Sequence, residues 1–182
     1  QLDRSVGGLT AIGTYFAGTI RSGTAFGTPA SGYRANTTGE YGPLNAFILV
    51  DGNNQPRFSP RDGTEGTPEA MTANEVRTII RNALTIAFRA RGQIRRPLGD
   101  HAHVTVSVVD TNGAIVGLAR TPDGPVFGTD VSLQKARTAA FFSNRNAGNE
   151  LIAGNLGNYV LQVRSVLGPT ALGCLLYTSD AA

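Results

Sequence analysis

Few side chains in this sequence can do chemistry, and their types narrow what that chemistry is. His101 and His103 stand two apart in HAHVTVSVVD, so an extended strand projects both imidazoles from one face, along with Thr105 and Ser107. Two such nitrogens can begin a metal site, but the spacing suggests no third carboxylate, histidine or cysteine ligand, and the pair is expected to be surface and strand-edge histidines with no metal. Lys135 is the one lysine among 16 cations. It lies three residues before Thr138 in SLQKARTAAFFS, so a helix there presents an ammonium and a hydroxyl as neighbours. A solvated lysine and a cation kept for a ligand are both open readings. The single cysteine, Cys174, falls in CLLYTSDAA, which looks like the translation of a sequencing adapter. Residues 174–182 are therefore expected to be an artefact tail that cuts the gene product short. Without them the chain has no cysteine, which excludes disulfides, thiolate catalysis and cysteine-ligated zinc. No paired acid and base or activated nucleophile is legible, so enzymatic status is left open.

The elements that must position these groups leave clear marks. Thr72 and Glu75 have the spacing of a capping box, with Met71 placed to staple onto Val76. Val76, Ile79, Ile80, Ala83, Leu84, Ala87 and Phe88 then recur on one helical stripe, with arginines opposite and Gly92 as a stop. Next, two alternating runs flank Thr111-Asn112-Gly113, predicting a β-hairpin with Val104, Val106 and Val108 on one face. After the turn TPDGP, a second helix is expected from a cap at Thr129 or Asp130 to about Phe142. Ala136, Ala139 and Ala140 give it a low surface that can approach a sheet or a flat ligand closely. A short helix over Asn158–Leu167 ends at Gly168-Pro169.

Upstream, residues 1–62 are rich in Gly, Thr and Ser. NAFILV, a polar turn at Asp51–Asn54 and a run at Gln55–Ser59 predict another hairpin. The Gly-rich opening matches neither a dinucleotide fingerprint nor a phosphate-binding loop. Residues 63–70 have the composition of a linker. A net charge of +3, with no aromatics between the arginines of the first helix, gives no case for nucleic acid. The longest apolar run, AFILV, is far below the ~20 residues of a membrane helix, so no membrane partner is expected. Nothing in the sequence identifies a compartment.

Three segments together carry a family resemblance: MTANEVRTIIRNAL, VTVSVVDTNGAIVGLAR and DGPVFGTDVSLQKARTAAFFS. In order and spacing this stretch, about Met71 to Ser143, resembles the GlcG/HbpS-like haem-binding (haem-degrading) family. The resemblance implies an α+β, profilin-like fold, an antiparallel sheet flanked by helices, that assembles into homo-oligomers. A Gly-rich hairpin of that fold is absent, as a sequence truncated at the C-terminus would show, so 71–173 is expected to be a partial module. Residues 1–62 look like the end of an upstream one. The implied ligand is haem or a related tetrapyrrole, stored or slowly degraded by oxidation. The matched positions Arg120, Lys135 and Thr138 become candidate haem-binding residues. His103, outside the matched motifs, joins them because imidazole is a common haem ligand. The choice falls on Thr138 and Lys135 ahead of His103. A cofactor-free structural or sensory oligomerisation module is the alternative.

Overall fold

The computed structural model describes residues 22–91, 97–169 and 171–172. The expected helix stop at Gly92, the Gly-rich opening up to Arg21 and the 174–182 tail lie outside them. The chain forms an α+β fold: strands β1 (Tyr33–Ala35), β2 (Phe47–Leu49), β3 (Thr105–Val109) and β4 (Ile115–Arg120), with helices α1 (Ala73–Arg89), α2 (Gly128–Ser143), α3 (Ala147–Ala153) and α4 (Gly157–Leu167). The four strands make one antiparallel sheet in the order β1-β2-β4-β3. No helix among the described residues is long and apolar enough to cross a membrane.

Local chemistry explains where these elements begin and end. Thr72 Oγ1 accepts the Glu75 N–H while the Glu75 carboxylate accepts the Thr72 N–H at 2.8 Å, so the capping box forms reciprocally and starts α1. Val76, Ile80, Leu84 and Ala87 of its stripe are buried, whereas Ile79 stays 44% exposed. The β3–β4 turn closes with Gly113 at φ +75°, a left-handed conformation that suits glycine, and its N–H donates to the Asp110 carbonyl at 3.0 Å. Asp51 plays the corresponding part after β2: its Oδ1 accepts the N–H groups of Asn53 and Gln55, each at 2.8 Å. The run beyond it continues as irregular backbone. Arg57 N–H donates to the Leu49 carbonyl, and the Phe58 carbonyl accepts from Leu118, so this segment sits between β2 and β4.

One expectation about helix starts is corrected. The helix carrying Lys135 begins at Gly128, and neither Thr129 nor Asp130 caps it. The Gly128 N–H reaches the Pro125 carbonyl at 2.9 Å and the Val131 N–H reaches Phe127 at 3.1 Å, so the preceding turn winds straight into the helix. The short helix α3, which the sequence reading did not anticipate, follows it, and α4 ends at Gly168 as its glycine suggested.

Helices flank the sheet on both faces. Gly117 of β4 lies beneath Val76 and Ile80 of α1, so Val108, its cross-strand partner, points to that side too. Ser107 points the other way and meets Ser132 of α2, their hydroxyl oxygens 2.6 Å apart. The core joins segments on both sides of the 63–70 stretch: Tyr41, Ala46, Ile48 and Val50 pack with Val76, Ile80, Leu84 and Val116. That stretch is itself anchored, since Thr64 donates through N–H and hydroxyl to the Asp110 carboxylate at 2.8 and 2.6 Å.

Candidate functional site

Three groups of side chains qualify as sites, and they lie on different parts of the fold. The first is the outer surface of α2. Ser132 meets Ser107 of β3, and half-buried Ala136 and Ala140 follow it on that side of the helix, whereas Ala139 is exposed. A neighbouring flank of the helix is open: Phe127 (71% exposed), Val131, Lys135 and Thr138 follow one another every three or four residues and are all exposed. The Thr138 hydroxyl donates to the Gln134 carbonyl one turn back at 2.9 Å, which leaves its lone pairs outward. Lys135 makes no hydrogen bond or ion pair among the described residues. The stripe thus offers apolar surface at one end and an amine and a hydroxyl further along.

The second group surrounds Arg120. On the pleated sheet this residue shares the α2-facing side with Thr105, Phe47 and Tyr33. Its guanidinium carbon lies 4.7 Å from the Tyr33 ring centre and 5.1 Å from that of Phe26, and the side chain is fully buried. The three guanidinium nitrogens find no hydrogen-bond partner among the described residues, nor does the neighbouring Thr105 hydroxyl. Burial holds the Arg120 pKa below its ordinary value, with Tyr33 and Asp123 working in the opposite direction. The Tyr33 hydroxyl, 3.3 Å from Thr129 Oγ1, ties this aromatic enclosure to the start of α2. Of the two cations considered for a haem propionate, Arg120 is enclosed and Lys135 is open.

The third group is Asp100, His101 and His103, and here the sequence reading needs correcting. A third carboxylate does accompany the two histidines: one ligand atom from each of the three residues lies within 4.8 Å of the others. Strand periodicity places partners at even spacing and so does not pair Asp100 with these histidines, whereas residues 100–104 precede the regular strand. Asp100 Oδ1 accepts the His101 N–H at 2.8 Å, and its Oδ2 meets His103 Nε2 at 3.0 Å. That backbone hydrogen bond, assisted by the positive character of the two imidazoles, holds the Asp100 carboxyl below the usual carboxylate range despite some desolvation. The His101 ring stands edge-on to His103 at 4.9 Å and to Phe88 at 4.8 Å. His103 Nε2, the nitrogen a haem iron would use, is therefore occupied by Asp100.

No hydrogen bond or ion pair joins any two of Arg120, Lys135, Thr138 and His103 among the described residues. Two surface cavities among the described residues measure about 250 and 360 Å³. The first is bordered by Arg34, Asn36, Tyr41 and Phe58, the second by Leu44, Thr85, Phe88, Arg89 and His101, and α2 lines neither. Comparison of the chain with family models, with curated proteins and with solved structures gave no match in any of the three.

Proposed function

We propose that this chain is a haem-binding module whose ligand lies against the exposed face of α2. The observation that carries the reading is the open stripe Phe127–Val131–Lys135–Thr138, where two of the residues singled out by the family resemblance stand uncovered together. A porphyrin asks for flat apolar contact, a cation for a propionate and a polar group toward the iron. Phe127 and Val131 answer the first, Lys135 the second and Thr138 the third. A single helix face encloses too little of such a ligand, because small-molecule sites bury roughly 70–90% of what they hold. A second copy of the chain, applied through the same face, supplies the other wall.

A cofactor-free oligomerisation module is the competing reading, favoured by the apolar part of the same stripe and by exposed Leu161 and Val166 on α4. Haem titration followed by absorbance, with oligomeric state measured by analytical ultracentrifugation, separates the two. The haem reading expects a shifted Soret band saturating at one haem per two chains. It also expects Lys135→Ala to weaken uptake about tenfold, the loss of one charge-assisted contact of ~1.4 kcal/mol. A dimer that forms without haem and leaves the Soret band unshifted sinks it in favour of the alternative. Bleaching of the bound pigment on adding peroxide, or a reductant together with O₂, with iron released, is the mark of oxidative degradation beyond storage.

A further inference from the structure

We infer that Asp100, His101 and His103 bind a divalent late transition-metal ion such as Zn²⁺, independently of the α2 face. The three ligand atoms already converge to within 4.8 Å. In a tetrahedral site with bonds of ~2.0–2.1 Å, two ligand atoms sit roughly 3.3 Å apart. The Asp100–His103 pair, at 3.0 Å, is close to that spacing before any ion arrives, and the His101 ligand atom lies within 4.8 Å of both. The carboxylate is held in place, because Oδ1 accepts the His101 N–H, and an ion would take the place of the direct contact between Oδ2 and His103 Nε2. His101 Nδ1 is 3.0 Å from the Ala102 carbonyl. Donation across that contact leaves the lone pair on Nε2, the usual outer-sphere arrangement of a metal-binding imidazole.

An Asp–His ion pair accounts for only part of this arrangement. It uses one imidazole, whereas the second is stacked edge-on to the first. A dication takes both neutral rings and the carboxylate at once. The backbone is fixed for the purpose: Ala102 N–H donates to the Ala87 carbonyl at 3.1 Å, and Arg91 and His101 form a β-bridge. Two imidazoles select against Mg²⁺ and Ca²⁺. Three protein ligands leave a fourth position for water or a small anion. The ~360 Å³ cavity that His101 shares with Arg89 gives an anion a cationic neighbour.

Because the chain contains only two histidines, their ring resonances read the site without any mutation. ZnCl₂ titrated into the intact protein and followed by NMR is expected to move both imidazole signals together, saturating at one ion per chain, while MgCl₂ moves neither. CoCl₂ should give the visible absorption of a low-coordinate Co²⁺ centre. His101→Ala and Asp100→Asn, checked for folding by circular dichroism, should each weaken Zn²⁺ binding at least tenfold in calorimetry. If Zn²⁺ shifts only one histidine, or neither, or if both folded variants titrate like the parent, the assignment is overturned. Haem uptake by Lys135→Ala has no part in these measurements, so the two readings fail separately.

Discussion

The guanidinium of Arg120 lies 4.7 Å from the ring centre of Tyr33, inside the sheet-to-helix interface and without a hydrogen bond to any described residue. A cation–π contact of this kind is worth about 2 kcal/mol when desolvated, less than the several kcal/mol needed to take an ion out of water. Arg120→Met, which keeps most of the volume, is therefore expected to leave stability unchanged or raise it by ~1–4 kcal/mol in urea denaturation. Arg120→Ala, which opens a cavity, should lower it. The Met variant should also take up haem like the parent, in contrast to Lys135→Ala. A large destabilisation by Met would mean that the buried charge is better solvated than its neighbours suggest.

Asp110, only 1% exposed, joins the Asn-Gly hairpin to the 63–70 stretch through Thr64 and the Ala114 N–H. Burial works to raise its pKa, but hydrogen bonds from Thr64, Ala114 and Asn112 together outweigh it and hold the carboxyl below the usual aspartate value. A depressed folded pKa stabilises the protein above the unfolded value of ~3.9, and that contribution is lost as pH falls through the folded one. Asp110→Ala should cost about 1–3 kcal/mol at neutral pH for the donors it orphans. In denaturant melts the gap between variant and parent should narrow progressively below about pH 4.

At Gly117 α1 packs closely on the sheet. A Cβ there would stand 2.7 Å from both Ile80 Cδ1 and Val76 Cγ1, and the valine is β-branched with little freedom to turn away. Gly117→Ala is expected to destabilise by ~1–3 kcal/mol despite the better strand propensity of alanine. Thermal melts that coincide with the parent would show that α1 can lift at no cost.

The cap of α1 gives a smaller and purely local effect. Thr72→Ala removes the acceptor for the Glu75 N–H and one donor to its carboxylate, and should cost ~1 kcal/mol. Thr72→Ser should recover most of that loss. Urea midpoints of the two variants against the parent provide the check.

What could be read from the residues depended on how local the governing interaction was. The capping box, the Asn-Gly turn and the stop at Gly168 are settled by groups within a few residues of one another, and all three are found in the structure. The start of α2 escaped because a carbonyl from the preceding turn does the work expected of a side chain at Thr129 or Asp130. Asp100 escaped because its partnership with His103 depends on an irregular backbone that no periodicity describes. Arg120 is legible as a residue of interest, but its enclosure by Tyr33 of β1 and by Phe26 in the turn before it comes from residues more than eighty positions away.

The shared packing of Ile48 and Val50 with Val76 and Ile80 bears on how the polypeptide can be divided. Cleaving it ahead of Met71 would strip β4 of β2, one of its two neighbours, and leave part of an oily interior uncovered. An exposed border of that kind recruits other polypeptides into edge-to-edge aggregates. The residues before and after the 63–70 stretch thus bury their apolar side chains in a common interior.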